Sequence, residues 1–204
     1  MIKSAYIHIP FCEHICHYCD FNKMFLKGQP VDEYLQLLKR EMELTLAQSQ
    51  CEKLSTIYVG GGTPTSLNEK QLVSFTESIA GVLPFDREDV EFTFEANPGD
   101  LSKEKLVILK EAGVNRISFG VQSFQEHLLK AIGRTHRVED VYTSVEYARQ
   151  AGFENITIDL MYGLPGQTMQ DVISSIDKAL ELELPHISSY SLIVEPKTVF
   201  YNLL

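Results

Sequence analysis

The chain has 204 residues, 44% of them hydrophobic and 23% charged, with a formal net charge of −10. That balance belongs to a folded globular protein rather than a disordered one, and the length suits one sizeable core. No basic cluster offers nucleic acid a footprint and no apolar run approaches the roughly 20 residues of a membrane span; with no apolar signal segment ahead of the cysteines, a cytoplasmic protein with reduced thiols is expected.

The first strand-like segment, residues 5–9, leads into Pro10-Phe11-Cys12-Glu13-His14-Ile15-Cys16-His17-Tyr18-Cys19-Asp20-Phe21, a C-x3-C-x2-C run. Thiols so close together on one loop can converge on one metal centre with little chain entropy to overcome. Thiolate is a soft ligand that suits iron–sulfur clusters and zinc alike. A closed structural site normally has four ligands, so Cys12, Cys16 and Cys19 leave one position open, as a catalytic centre needs. Two chemistries therefore fit: a cluster on the three cysteines, or zinc with His8, His14 or His17 as fourth ligand. A disulfide does not suit a reducing compartment. Cys51 stands alone after a helical stretch and reads as an inert, half-buried thiol.

Further strand-like segments follow at residues 56–59, 90–94, 116–119, 155–161 and 187–194. Several are near-continuous apolar runs, as expected for parallel strands buried on both faces. Helical patterns lie between them. Tyr34, Leu38, Met42 and Leu46 step by four, and Leu72, Phe75, Ile79 and Val82 form a second stripe with Ser66 and Glu69 as its capping box. A third helix starts near Ser102 and stops at Gly113. A short piece covers residues 125–132, and a fourth helix stops at Gly152. A fifth starts near Thr168, where Thr168 and Asp171 repeat the capping pattern. Ala112-Gly113-Val114-Asn115-Arg116-Ile117 is echoed by Ala151-Gly152-Phe153-Glu154-Asn155-Ile156, a weak repeat of one αβ unit.

Alternating strand and helix predicts an α/β fold with right-handed crossovers and a parallel sheet. A closed eight-unit barrel takes about 250 residues, so six strands predict a partial (β/α)6 barrel, with a doubly wound sheet as the alternative. The sequence ends as another helix begins. One core domain over residues 1–204 of a longer natural chain is expected.

In such folds ligands bind outside the carboxyl ends of the strands. The cysteine loop follows the first strand, Gly60-Gly61-Gly62-Thr63-Pro64 the second, and Glu95-Ala96-Asn97-Pro98 the third. Gln122 ends the fourth, and Asp159 with Tyr162-Gly163-Leu164-Pro165 ends the fifth. These groups share one rim. Consecutive glycines let backbone approach a ligand and offer unobstructed amides, although a tight βα turn needs them too. The pattern is neither a P-loop nor a dinucleotide fingerprint. Glu95 and Asp159 suit hydroxyl or ammonium groups, or equally a helix cap or a surface Lys. Gln122, a buried amide, must find partners. Arg134 can hold a carboxylate bidentately or stand as a surface residue. Tyr6 can stack on a ring or sit in the core.

Together these motifs resemble the radical S-adenosylmethionine (SAM) superfamily, whose hallmark is C-x3-C-x2-C. The resemblance implies a [4Fe–4S] cluster on Cys12, Cys16 and Cys19, with SAM chelating the fourth iron, one-electron cleavage of SAM, and a partial (β/α)6 barrel. Tyr6-Ile7-His8-Ile9-Pro10-Phe11-Cys12, the triple-glycine segment, Gly120-Val121-Gln122-Ser123-Phe124 and Asp159-Leu160-Met161-Tyr162-Gly163-Leu164-Pro165 are similar to oxygen-independent coproporphyrinogen III oxidases and the related HemW heme chaperones. Carried over, Tyr6 and the Tyr18 backbone line the SAM site, and Gly61, Gly62 and Thr63 meet the methionine end. Glu95, Gln122, Arg134 and Asp159 take further SAM contacts, ribose and carboxylate among them, and Ile193 offers backbone to adenine. The oxidases carry a fourth cysteine two residues past the third, where this chain has Phe21 in Asp20-Phe21-Asn22-Lys23. That departure, with the short N-terminal lead, points to the HemW branch, which implies heme as cargo, a heme-acceptor protein and an electron donor protein as partners, and heme ligands in a C-terminal domain outside this sequence. The oxidase reading and a zinc-stabilised binding module without redox chemistry stand as rivals.

Overall fold

Strands of one main sheet are separated by helices in the computed structural model, which describes residues 2–203. In order come β1 (Ser4–Ile9), the short β2 (Phe11–Cys12) and β3 (Met24–Phe25), α1 (Val31–Gln48), β4 (Thr56–Gly61), α2 (Glu69–Val82) and β5 (Glu91–Ala96). They are followed by α3 (Lys103–Glu111), β6 (Arg116–Gln122), α4 (Glu126–Ala131), α5 (Val138–Gln150), β7 (Asn155–Tyr162), α6 (Met169–Glu181), β8 (His186–Ser191) and α7 (Val199–Leu203).

The main sheet has six strands in the order β1-β4-β5-β6-β7-β8, and every neighbouring pair is parallel. A doubly wound sheet reverses its order at a switch point. This one never reverses, so it is an arc of a barrel, open because β1 and β8 do not pair among the described residues. The partial (β/α)6 barrel expected from the strand count is what forms.

The central strands are buried on both faces as expected, Thr93, Ser118 and Thr157 included, but the chemistry of the two faces differs. Phe92, Phe94, Ile117, Phe119, Ile156 and Ile158 join the core beneath the helices. The residues between them keep to the other side, where Arg116 donates to Thr93 Oγ1 at 3.4 Å and to Thr157 Oγ1 at 3.0 Å. An arc that does not close has no barrel interior to fill with apolar side chains, so its concave face stays polar and open to a ligand.

The helices seal the convex side. α1 buries Val31, Leu35, Leu38 and Met42; Tyr34, at the edge of that stripe, donates its hydroxyl to the His8 carbonyl at 2.7 Å. α2 buries Leu72, Phe75 and Ile79. Each fully buried Leu, Ile or Phe contributes on the order of 1.5–3 kcal/mol of transfer free energy. The α2 capping box is Asn68 with Gln71 rather than Ser66 with Glu69. Pro64–Ser66 are taken up in a buried 3₁₀ turn, and Leu67 is fully buried, so the chain can enter the helix only after it. The Thr168–Asp171 box forms as expected, Ser102 caps α3, and Gly113 and Gly152 take positive φ of 95° and 85° past α3 and α5. β8 stops at Ser191, short of residue 194. Among the described residues no helix is long and apolar enough to cross a membrane.

Candidate functional site

The carboxyl ends of the main-sheet strands surround one cavity of about 330 Å³, and the cysteine loop closes over it. Backbone bonds hold that loop on three sides. At its base β2 pairs with β3, the Met24 amide donating to the Pro10 carbonyl at 2.8 Å and the Leu26 amide to the Cys12 carbonyl at 2.9 Å. On the β4 side, the Gly62 amide donates to Ile9 and the Thr63 amide to Phe11, both at 2.8 Å. On the far side, the His17 amide donates to Ile132 at 3.0 Å, and the Phe200 amide donates to the His17 carbonyl at 3.1 Å. Gly133 is required there, because a Cβ at that position would lie 2.7 Å from the His17 ring.

Cys12, Cys16 and Cys19 all border the cavity, Cys12 buried and the other two half-buried. Thr63 Oγ1 donates to Cys12 Sγ at 3.6 Å, and Asn97 Nδ2 donates to both Thr63 Oγ1 at 3.2 Å and Asp100 Oδ2 at 3.0 Å. Arg134 Nη1 reaches Cys16 Sγ at 3.5 Å. Burial pushes the Cys12 and Cys19 thiols up, and the neighbouring thiols add to the shift. Holding Cys12 and Cys19 as thiolates is therefore favoured by a bound metal centre, and an iron–sulfur cluster would supply one.

The zinc alternative fares worse. His8 Nε2 donates to the Asn22 carbonyl at 2.7 Å, so its Nδ1 accepts from Tyr6 at 2.9 Å and neither nitrogen is free. His17, whose Nδ1 donates to the Ala131 carbonyl at 3.0 Å, does not border the cavity, and His14 is the one of the three that does. Among the described residues no three His, Cys, Asp or Glu side chains close on a single ion. An all-sulfur donor set spread along a cavity wall fits a polynuclear cluster.

The glycine segment differs from expectation in what it offers. Its amides are not unobstructed: Gly61 donates to Glu95 Oε2 at 3.1 Å, and Gly62 and Thr63 are paired to the cysteine loop as above. With those three amides taken, the segment is not an anion cradle of the kind that holds a phosphate. Each glycine has its own steric reason. A Cβ would come within 2.7 Å of the Glu95 carboxyl at Gly60, 2.4 Å of the His8 ring at Gly61, and 2.7 Å of the Pro10 backbone at Gly62.

Glu95, also bound by the Tyr58 hydroxyl at 2.6 Å, has its carboxyl pushed up by burial. Asp159, across the cavity, is raised for the same reason, opposed by a Ser188 hydrogen bond and by the Arg116 and Arg134 charges. Gln122 is buried and its Oε1 accepts from Tyr190 at 2.7 Å. The residue takes a left-handed φ of 68° where the β6–β7 register shifts, a strained geometry of the kind that collects at functional sites.

Gly61, Gly62, Thr63, Glu95, Gln122, Arg134 and Asp159 thus share the cavity wall with the three cysteines and with Tyr18. Ile193, 64% exposed, borders it just beyond β8. Tyr6 is not brought to it. That ring is 60% exposed on the concave face of β1 and stacks on Tyr58 at 6.2 Å between centroids. Cys51 packs half-buried against the core, outside the cavity. Sequence reasoning did not single out Tyr190 or Asn97. The period-two pattern of β8, which sets Ser188 beside Asp159, places Tyr190 on the same face; Asn97 stands in the quoted strand-end motif but shows no partner in one dimension.

The sequence signature of the radical SAM superfamily matches residues 6–179. The heme chaperone HemW of Bacillus subtilis (strain 168) is 62% identical over 203 residues, 100% of this chain and 54% of that protein. The heme chaperone HemW of Escherichia coli (strain K12) is 41% identical, covering 97% of this chain and 52% of its own length. Among solved structures, coproporphyrinogen III oxidase (HemN) of Escherichia coli, described as a radical SAM enzyme, superposes with a TM-score of 0.88 at 31% identity, over 98% of this chain and 46% of that one. The methyltransferase TsrM of Kitasatospora setae shares the fold at a TM-score of 0.70 and 18% identity, over 96% of this chain and 38% of its own. The chain spans about half the length of the curated relatives it matches.

Proposed function

The chain belongs to the radical SAM superfamily, and on that footing we propose that it is the cluster- and SAM-binding core of a HemW-type protein that takes up heme and delivers it to acceptor proteins. The observation that carries this is a single cavity bordered by three thiols and by the carboxylates, amide and guanidinium that SAM requires. The similarity to proteins named heme chaperone HemW supports the cargo. Phe21 occupies the place of the fourth cysteine expected of an oxidase, and it is 65% exposed at the cavity.

Cys12, Cys16 and Cys19 would hold the cluster, which when bound supplies one electron to SAM from a donor protein. The chain's own groups bind and orient. Carbonyl oxygens of the Gly61–Gly62 segment accept from the SAM ammonium group, and the Glu95 carboxylate lies behind them. Arg134 takes the carboxylate. Asp159 and Gln122 face the ribose, with Tyr18 and the Ile193 backbone at the cluster and adenine sides and Tyr6 in the outer layer. A cytoplasmic setting keeps the thiols reduced for cluster loading.

The test uses the protein at its natural full length, anaerobically reconstituted and reduced. SAM and coproporphyrinogen III are added, 5′-deoxyadenosine and protoporphyrinogen IX are quantified, and heme is titrated in parallel. Stoichiometric heme binding without porphyrin turnover is the expected result. Repeated turnover to protoporphyrinogen IX would establish the oxidase instead.

A further inference from the structure

Cys12, Cys16 and Cys19 each have a hydrogen-bond donor at the sulfur, and the three donors are of different kinds. Cys16 takes Arg134 Nη1 at 3.5 Å, Cys19 the backbone amide of Phe21, and Cys12 the hydroxyl of Thr63 at 3.6 Å. A guanidinium nitrogen and a backbone amide can only donate, but a hydroxyl can turn and can accept instead. Thr63 is buried, so its direction has to come from a neighbouring side chain.

The turn after β5 supplies it. There the Asp100 amide donates to the Asn97 carbonyl at 3.2 Å, and Asn97 Nδ2 donates to Asp100 Oδ2 at 3.0 Å. An ionised carboxylate only accepts, so the Asn97 atom that faces it is the amide nitrogen and not the amide oxygen. The same nitrogen lies 3.2 Å from Thr63 Oγ1. That oxygen must therefore accept, and its one proton is left for Cys12 Sγ. Asp100, Asn97 and Thr63 form a line of hydrogen bonds with a single polarity, running from the end of β5 past the end of β4 to the root of the cysteine loop.

We propose that Asn97 is a positioning residue that aims the Thr63 hydroxyl at Cys12 Sγ and thereby raises the reduction potential of the cluster held there. The proposal rests on the cluster reading above. Reduction adds negative charge to a cluster and its ligand sulfurs, so a proton aimed at a sulfur stabilises the reduced form more than the oxidised one. Hydrogen bonds to the sulfurs are among the groups that set cluster potentials, and residues behind the ligands orient them. The Thr63 hydroxyl has no second proton, so its donation is committed to the loop.

The experiment is a redox titration followed by electron paramagnetic resonance, on the full-length protein anaerobically reconstituted and free of SAM, with iron and sulfide content measured beside it. Wild type is compared with Asn97→Ala, Thr63→Val, Thr63→Ser and the combined Asn97→Ala/Thr63→Val protein. Thr63→Val, which keeps the shape and removes the proton, should shift the midpoint to a more negative potential. Asn97→Ala removes no ligand, so it should load iron and sulfide as wild type does and shift the midpoint in the same direction. Thr63→Ser keeps the hydroxyl and should hold the wild-type value. The combined protein should show the Thr63→Val midpoint and no further shift, because Asn97 acts only through the hydroxyl. A wild-type midpoint in either Asn97→Ala or Thr63→Val overturns the proposal. Additive shifts in the combined protein also overturn it, since the two residues would then act separately. So does loss of cluster loading in Asn97→Ala, which would mark the residue as merely structural. If Thr63→Val does not load, the Asn97→Ala midpoint decides alone. A wild type that takes up no iron or sulfide overturns the cluster reading itself, and the proposal with it.

Discussion

Gly62→Ala is the substitution that most directly tests how the cysteine loop is held. Gly62 does not take a left-handed φ, so the effect is argued from contact. An added methyl would sit 2.7 Å from both Pro10 C and Pro10 O and 2.9 Å from Phe11 O. All are backbone atoms at the root of the loop and cannot rotate away. Overpacking of this kind costs about 1–3 kcal/mol. Relief by separation would stretch the Gly62–Ile9 and Thr63–Phe11 bonds, both 2.8 Å, at about 0.5–1.5 kcal/mol each. A destabilisation of about 3 kcal/mol follows, which lowers the melting temperature of a chain this size by about 6–12 °C. The displaced root would also shift Cys12, so iron and sulfide content after anaerobic reconstitution should fall well below wild type. Gly81→Ala is the control: its Cβ meets nothing within 4 Å in α2, and helix propensity makes it neutral or stabilising by up to about 1 kcal/mol. Full cluster content and an unchanged melting temperature in Gly62→Ala would refute the steric reasoning.

Single Ala substitutions of Cys12, Cys16 and Cys19 should each abolish cluster assembly, and Cys51→Ala should leave it intact; iron and sulfide analysis of the four proteins checks this, and a Cys51 requirement would move the site. Tyr190→Phe removes the 2.7 Å donor to buried Gln122 and should cost about 1–3 kcal/mol, read by denaturant titration; a loss below about 0.5 kcal/mol would show that the amide finds another partner. Burial, reinforced by the Arg134 charge and opposed by Asp140, pushes His136 down to about 4. Between about 6.5 and about 4 the unfolded chain therefore binds a proton that the folded one does not, and stability should fall as pH falls through that window by up to about 3 kcal/mol. Glu13, His14 and Asp100 line the same small pocket as His136, so the wild type is compared with His136→Gln. Parallel pH profiles for the two proteins would refute the assignment.

Much of this architecture is legible in one dimension because its punctuation is local. Gly113, Gly152 and the Thr168–Asp171 pair end or begin helices through bonds a few residues long, and they alone imply repeated αβ units. The polar concave face is legible too, in Arg116-Ile117-Ser118-Phe119 and Thr157-Ile158-Asp159, where the period is two; the high apolar content of these segments masks it. Ser66 and Asn68 are both chemically fit to cap α2, and the choice is made by burial of Leu67, a tertiary fact. Least legible are pairings between distant segments. The Gly61 amide is taken by Glu95, and Arg134 meets Cys16 across a separation of 118 residues. No spacing rule predicts either.

The threefold anchoring of the cysteine loop separates metal acquisition from folding. In a zinc finger the ligands are brought together only by the ion, so binding and folding are one event. Here the Cys12–Cys19 segment is tied at its root, to β4 and beyond α4 by bonds that involve no sulfur. Those bonds do not depend on a metal, so the fold itself meets much of the loop's ordering entropy. Loss of the cluster to oxygen should then leave a folded chain that can be recharged in place, without a round of unfolding.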